Sequence, residues 1–145
     1  MFLNILVAVD GSSASRHALE QAIDIATVMN SRLTVITVAP PPSTYIARAG
    51  VSIEAMRTEL ERWAGSILSE ASATVPDELI AHTVQRSGHV GPEILTELER
   101  GGYDLVVLGS RGRGRAHEGL FGSVNGYLHF HARVTLLSVH GANDS

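Results

Sequence analysis

Between Gly109 and Asn125 the chain reads GSRGRGRAHEGLFGSVN, with small residues where a bound anion would need them. Gly109 closes an apolar run, Gly112 follows after two residues, and nine more lead to Gly122 and Ser123 at the start of a helical pattern. A glycine has no Cβ, so backbone N–H groups can come close to an anion there. A helix start adds free amides and roughly half a positive charge, and the Ser123 hydroxyl adds a further donor. Arg111, Arg113 and Arg115 alternate with glycine in the same stretch. Such a set can cradle phosphates without any lysine.

Asp10 is the second residue placed for chemistry, at the end of the run ILVAV. It can contact a ligand, cap the helix that follows, or serve as a covalent phospho-acceptor. The last role, as in haloacid-dehalogenase-type phosphatases, needs a second aspartate two residues on; Ser12 stands there instead. Ligand contact and capping are therefore the roles expected of it.

Absences narrow the chemistry further. All 11 basic residues are arginine, which excludes the P-loop lysine, lysine Schiff bases and a receiver domain that depends on lysine. With no cysteine there is no disulfide, thiolate zinc site or cysteine nucleophile. The net charge of −4 argues against a nucleic-acid platform, so the arginines are expected to clamp phosphate rather than RNA. His129 and His131, two apart on a helix, point to different sides and have no evident third ligand. His89 and His117 fall in loops, with His117 either near phosphate or solvated. Gly112, Gly114 and His117 fail the last position of G-x-G-x-x-G, and these glycines follow the fourth strand rather than the first, so a dinucleotide oxidoreductase is not expected.

The elements that must position these residues follow from periodicity. Residues 3–9 form a short apolar run suited to a strand covered on both faces. Ser12 or Ser13 caps a helix with an Ala18, Leu19, Ala22, Ile23, Ala26 stripe. Residues 32–39 are rich in β-branched side chains and read as the second strand. Prolines 40–42 stop it, and residues 40–50 form a loop. Met56, Leu60, Trp63, Ile67 and Ala71 mark the longest helix, with Trp63 expected in the core. Residues 79–85 are the third strand. A helix opens at Gly91-Pro92 and ends at Gly101-Gly102; residues 104–108 are the fourth strand, 123–131 a short helix, and the span from Val134 to Val139 the fifth strand. Alternating strands and helices imply one three-layer α/β domain, a doubly wound parallel sheet of order 3-2-1-4-5. Residues 1–140 form that domain and 141–145 a short flexible tail. Its switch point lies between strands one and four, so Asp10 and Gly109 face one cleft. No stretch approaches the roughly 20 apolar residues of a membrane span, and a cytoplasmic protein is expected.

The pattern G-x2-G-x9-G-[S/T], met by Gly109, Gly112, Gly122 and Ser123, resembles the ATP-binding branch of the universal stress proteins. The resemblance extends to ILVAVDGS, GHVGPEIL, YDLVVLGSRGRG and LFGSVNGYL, in that order along nearly the whole chain. It implies a Rossmann-like fold of the adenine nucleotide alpha-hydrolase type. It also implies an adenine and ribose site lined by Ala8, Val9 and Asp10, with Asp10 toward ribose or a phosphate-held Mg2+. The backbone of Val38 would read the adenine edge. Gly109, Arg111 and Gly112 would wrap the phosphates from one side, and Gly122, Ser123, Val124 and Asn125 would close from the other. The ligand would be ATP, or ADP or AMP, and the family's usual homodimer would pair fifth strands through Val134 to Val139. Two departures stand out: Asn125 occupies a position where a hydroxyl residue is common, and Ala132-Arg133-Val134-Thr135 replaces a frequent Pro-Cys-Pro, leaving the dimer geometry open. The function implied is a nucleotide-responsive regulatory or protective module. No committed general base beside a water site is visible. The alternatives are a slow ATP hydrolase or adenylate-transferring enzyme, and an interaction module without a nucleotide.

Overall fold

An uninterrupted apolar strand needs cover on both faces, and β1 (Asn4–Ala8) has it: Ile5, Leu6 and Val7 are fully buried. In a computed structural model of the chain, which describes residues 1–43, 50, 52–110 and 121–141, β1 is the middle strand of a five-stranded sheet. β2 (Arg32–Ala39) and β4 (Leu105–Gly109) flank it, and β3 (Ala81–Ser87) and β5 (Thr135–Val139) form the edges. All four pairings are parallel, and the order is β3-β2-β1-β4-β5, the expected doubly wound arrangement.

Strand alternation divides the core in two. Ile5, Val7, Leu33, Val35, Leu105 and Val107 pack against α1 (Ser13–Met29) and α2 (Ile53–Ala73). Leu6, Ile36, Val106 and Leu108 pack against α3 (Val90–Gly101) and α4 (Phe121–His131) on the other face. The α1 stripe is buried as expected at Ala18, Leu19, Ala22 and Ala26. The α2 stripe is rotated: Ala64, Leu68 and Ala71 are its buried residues, while Met56, Leu60 and Trp63 are only half-buried. This helix packs on β2 and β3 through Ala64, Ile67, Leu68 and Ala71, and Trp63 stays outside that core.

Strand boundaries shift for identifiable reasons. Asp104, expected in the fourth strand, accepts from the Leu3 and Asn4 amides at 2.9 and 3.1 Å, which starts β1 at Asn4 and leaves β4 to begin at Leu105. Leu79 N–H donates to Pro76 O in a turn (3.1 Å), so β3 starts at Ala81 and runs on to Ser87, the partner of Ala39. Helix α4 starts at Phe121, two residues before its expected start, which places Gly122 and Ser123 inside its first turn. Residues 44–49 of the Pro40 to Gly50 loop, and 142–145 of the expected tail, lie outside the described residues.

Two contacts fix the parts nearest the carboxyl edge. A Cβ built on Gly109 would lie 2.6 Å from the Ala14 carbonyl carbon and 2.7 Å from the Ser15 nitrogen, so only glycine lets the first turn of α1 rest on the end of β4. On the opposite face, Arg86 of β3 bonds Glu93 (2.9 Å) and Glu97 (3.4 Å) of α3, and the Tyr103 hydroxyl donates to Glu97 (2.9 Å). Burial, more than the Glu97 carboxylate, pushes the Tyr103 phenol above its ordinary range.

Replacing Gly109 with alanine drives a Cβ into backbone that has no rotamer to escape with, and unfolding in urea should show a loss of about 1–3 kcal/mol. The raised Tyr103 phenol keeps its proton in the folded chain after the unfolded chain has lost it. Its stabilising contribution is complete below the unfolded value of about 10 and is lost as pH rises through the folded value. Urea midpoints should therefore fall more steeply above pH 10 in the natural sequence than in Tyr103→Phe; equal slopes would contradict the assignment.

Candidate functional site

The end of β1 is built from backbone and hydroxyl bonds. Val9 N–H donates to Ile36 O (2.9 Å), and the buried Thr37 hydroxyl donates to Val9 O (2.9 Å), which carries the strand one residue past Ala8. The chain then turns at Gly11, whose φ of +83° favours glycine. Asp10 Oδ1 accepts from Ser12 N–H (2.9 Å), and Asp10 N–H donates to Ser15 Oγ (3.2 Å). Ser12 caps α1 by accepting from Ser15 N–H (3.2 Å), and the buried Ser15 hydroxyl donates to Ser12 O (3.1 Å). One Asp10 oxygen thus belongs to the turn that leads into α1, whose cap is Ser12, while the half-buried carboxyl group stays at the sheet edge.

At the end of β4 the Asn125 Nδ2 donates to Gly109 O at 3.0 Å, joining the two roots of the glycine-rich segment. Asn125 stands where a hydroxyl is common in the resembled family, and here its Nδ2 is held by the Gly109 carbonyl. Gly122 and exposed Ser123 lie in the first turn of α4, where amides have no partner inside the helix. Arg111 and Gly112 lie outside the described residues, as do Arg113, Arg115 and His117. Next to Gly109, Ser110 N–H donates to Val139 O (2.7 Å), and Ser110 Oγ lies 2.8 Å from His140 Nδ1.

Ala8, Val38 and Val124 meet in one buried cluster with Ile94 and Leu108, on the α3/α4 face. Val9 does not join them; its side chain belongs to the opposite core beside Leu19 and Leu68, so only its backbone serves the edge. Beyond Val38, a hollow of about 230 Å³ is lined by Ala39, Pro40, Pro42, Arg57, Glu61 and Gly88. A second cavity of about 250 Å³ opens under Val9 and Gly11 between α1 and α2, on the face away from α4. Among the described residues no group of three acidic or histidine side chains could hold a metal ion, and no helix is long and apolar enough to cross a membrane. β5, at the margin of the sheet, pairs with β4 alone among the described strands.

Thr37, Ser15 and the Ser110–His140 pair were not singled out from the sequence. Thr37 is hidden in a β-branched run, and Ser15 in a serine-rich helix start. Ser110 and His140 are 30 residues apart and meet only because β4 and β5 are neighbours.

The chain matches the universal stress protein family over residues 1–140. The universal stress protein YxiE of Bacillus subtilis is 30% identical over 133 residues, an alignment that covers 86% of this chain and 90% of the relative. Among solved structures, the protein MJ0577 shares the fold with a TM-score of 0.80 at 21% identity, covering 99% of each chain. A universal stress protein family member from Arabidopsis thaliana with AMP bound has a TM-score of 0.69 at 18% identity, covering 98% of this chain and 94% of that one. With its family pattern running from the first strand to the last, this chain belongs to the universal stress protein family.

Proposed function

We propose that this chain binds an adenine nucleotide at the carboxyl edge of its sheet and acts as a nucleotide-responsive module of the stress response. One observation carries the reading: β1 and β4 are neighbours at the switch point of the sheet, and Asn125 in the first half of α4 is bonded to Gly109 at the end of β4, across the base of the glycine-rich segment. The switch point of a doubly wound sheet is where ligands of such folds bind. The AMP bound to the Arabidopsis relative makes adenine nucleotide the natural ligand class.

In this reading the base lies near Val38 and the ribose near Ala8, Val9 and Asp10. The phosphates sit against Gly109, Arg111, Gly112 and the first-turn amides of Gly122, Ser123 and Val124, with Asn125 keeping the cradle's two sides together. ATP is the finer proposal, with Mg2+ carried by its phosphates and Asp10 as the nearby carboxylate. The cation, when bound, offsets phosphate charge that a lysine-free site leaves to amides and arginine. Two copies pair through β5 and the residues from Val134 to Val139, which covers an open sheet edge.

Titration calorimetry with AMP and with Mg·ATP tests this. Saturable binding is expected, and the absence of any with a Kd below about 1 mM, about −4 kcal/mol, would overturn it. Gly122→Val should abolish binding while leaving the melting transition cooperative, because the side chain fills phosphate space. Normal binding by that variant would mean the cradle lies elsewhere.

A further inference from the structure

We propose that the cavity between α1 and α2 is a ligand site of its own, taking a small primary amine with an aromatic or aliphatic body. The cavity holds about 250 Å³. An apolar cavity of about 150 Å³ admits benzene, so there is room here for one ring with a short tail. Its wall is hydrocarbon: Val9, Leu19 and Ala71 are buried, and Ile67 packs against them. The site uses none of the glycine-rich segment, so it stands whether or not a nucleotide binds at the carboxyl edge.

The hydroxyls in that wall are committed to the protein. Ser15 Oγ accepts from Asp10 N–H (3.2 Å) and donates to Ser12 O (3.1 Å), while Thr74 Oγ donates to Ala71 O (2.8 Å). The interior therefore offers no hydroxyl proton, and a polar body would give up its water for little in return. A Cβ on Gly11 would lie 2.9 Å from Ile67 Cδ1, so Ile67 fills the space beside that turn.

The rim selects the head group. Arg16, Glu20 and Glu70 line the cavity and are exposed. Arg16 Nη1 donates to Gly11 O (2.6 Å), which engages the guanidinium with main chain. Glu20 lies 3.7 Å from His17 on its own helix, and Glu70 has no ion pair among the described residues. One carboxylate thus stands on the rim from each helix. An ammonium is the head group they attract, and an anionic head would be repelled by both.

The test titrates the 15N-labelled full chain with phenethylamine and follows its amide signals by NMR. Saturable shifts at Leu19, Ile67 and Ala71 are expected, with a Kd of about 1 mM or tighter. Shifts that never saturate, or that fall on other elements, would sink the proposal. Phenylacetate, similar in size and opposite in charge, should bind at least about 10-fold more weakly; equal binding overturns the choice of an amine. Ala71→Leu fills the cavity and should abolish binding, and binding retained by that variant places the amine elsewhere. Glu20→Gln combined with Glu70→Gln leaves the core untouched and should weaken binding about 10-fold, whereas an unchanged affinity overturns the role of the rim. Adding AMP should leave the amine shifts in place; their loss would put both molecules in one crevice and overturn a separate site.

Discussion

The first turn of α1 rests on the end of β4 with main chain against main chain, and the carboxyl edge is arranged around that contact. The Ala14 carbonyl carbon would lie 2.6 Å from any Cβ at Gly109, so the missing side chain sets how near the two elements come. Helix α1 could not otherwise begin where it does, directly after the Asp10–Gly11 turn. Because the same glycine offers its carbonyl to Asn125, one residue links the start of α1, the end of β4 and the start of α4. Its glycine identity has a packing reason that holds whether or not an anion is present.

Around this point the labour is divided between side chains and backbone. The side chains of Ala8, Val38 and Val124 are consumed by the core on the α3/α4 face, and that of Val9 by the core on the other. What the strand ends present outward is therefore mostly amides, carbonyls and a few short polar groups. A chain whose cations are all arginine is suited to such an arrangement, because oriented amides offer partial positive charge at fixed positions without burying an ammonium.

Much of this was legible in the linear sequence. Continuous apolar runs separated by helical stripes determine the layers and the strand order, since right-handed crossovers leave few ways to stack them. Tertiary placement was less legible. The α2 stripe held at Ile67 and Ala71 but not at Met56, Leu60 and Trp63, because periodicity identifies an amphipathic side but not which of its residues reach the core. Asp104 looked like strand but serves as an anchor for the amides of Leu3 and Asn4, a partnership 100 residues long that no local pattern reveals. Asn125 was legible as a residue of the glycine-rich segment, but its bond to the Gly109 carbonyl, 16 residues away, was not. Ser110 and His140 are unremarkable letters until β4 and β5 lie together.

The Asn125–Gly109 bond has an implication for how such chains diversify. A segment whose stem is already fastened has paid most of its closure entropy at the stem, and doubling the length between the fastened ends adds only about 0.6 kcal/mol. A change of length between these two anchors accordingly costs the scaffold little, and whatever fixes the spacing of the glycines there is not the stability of the clasp.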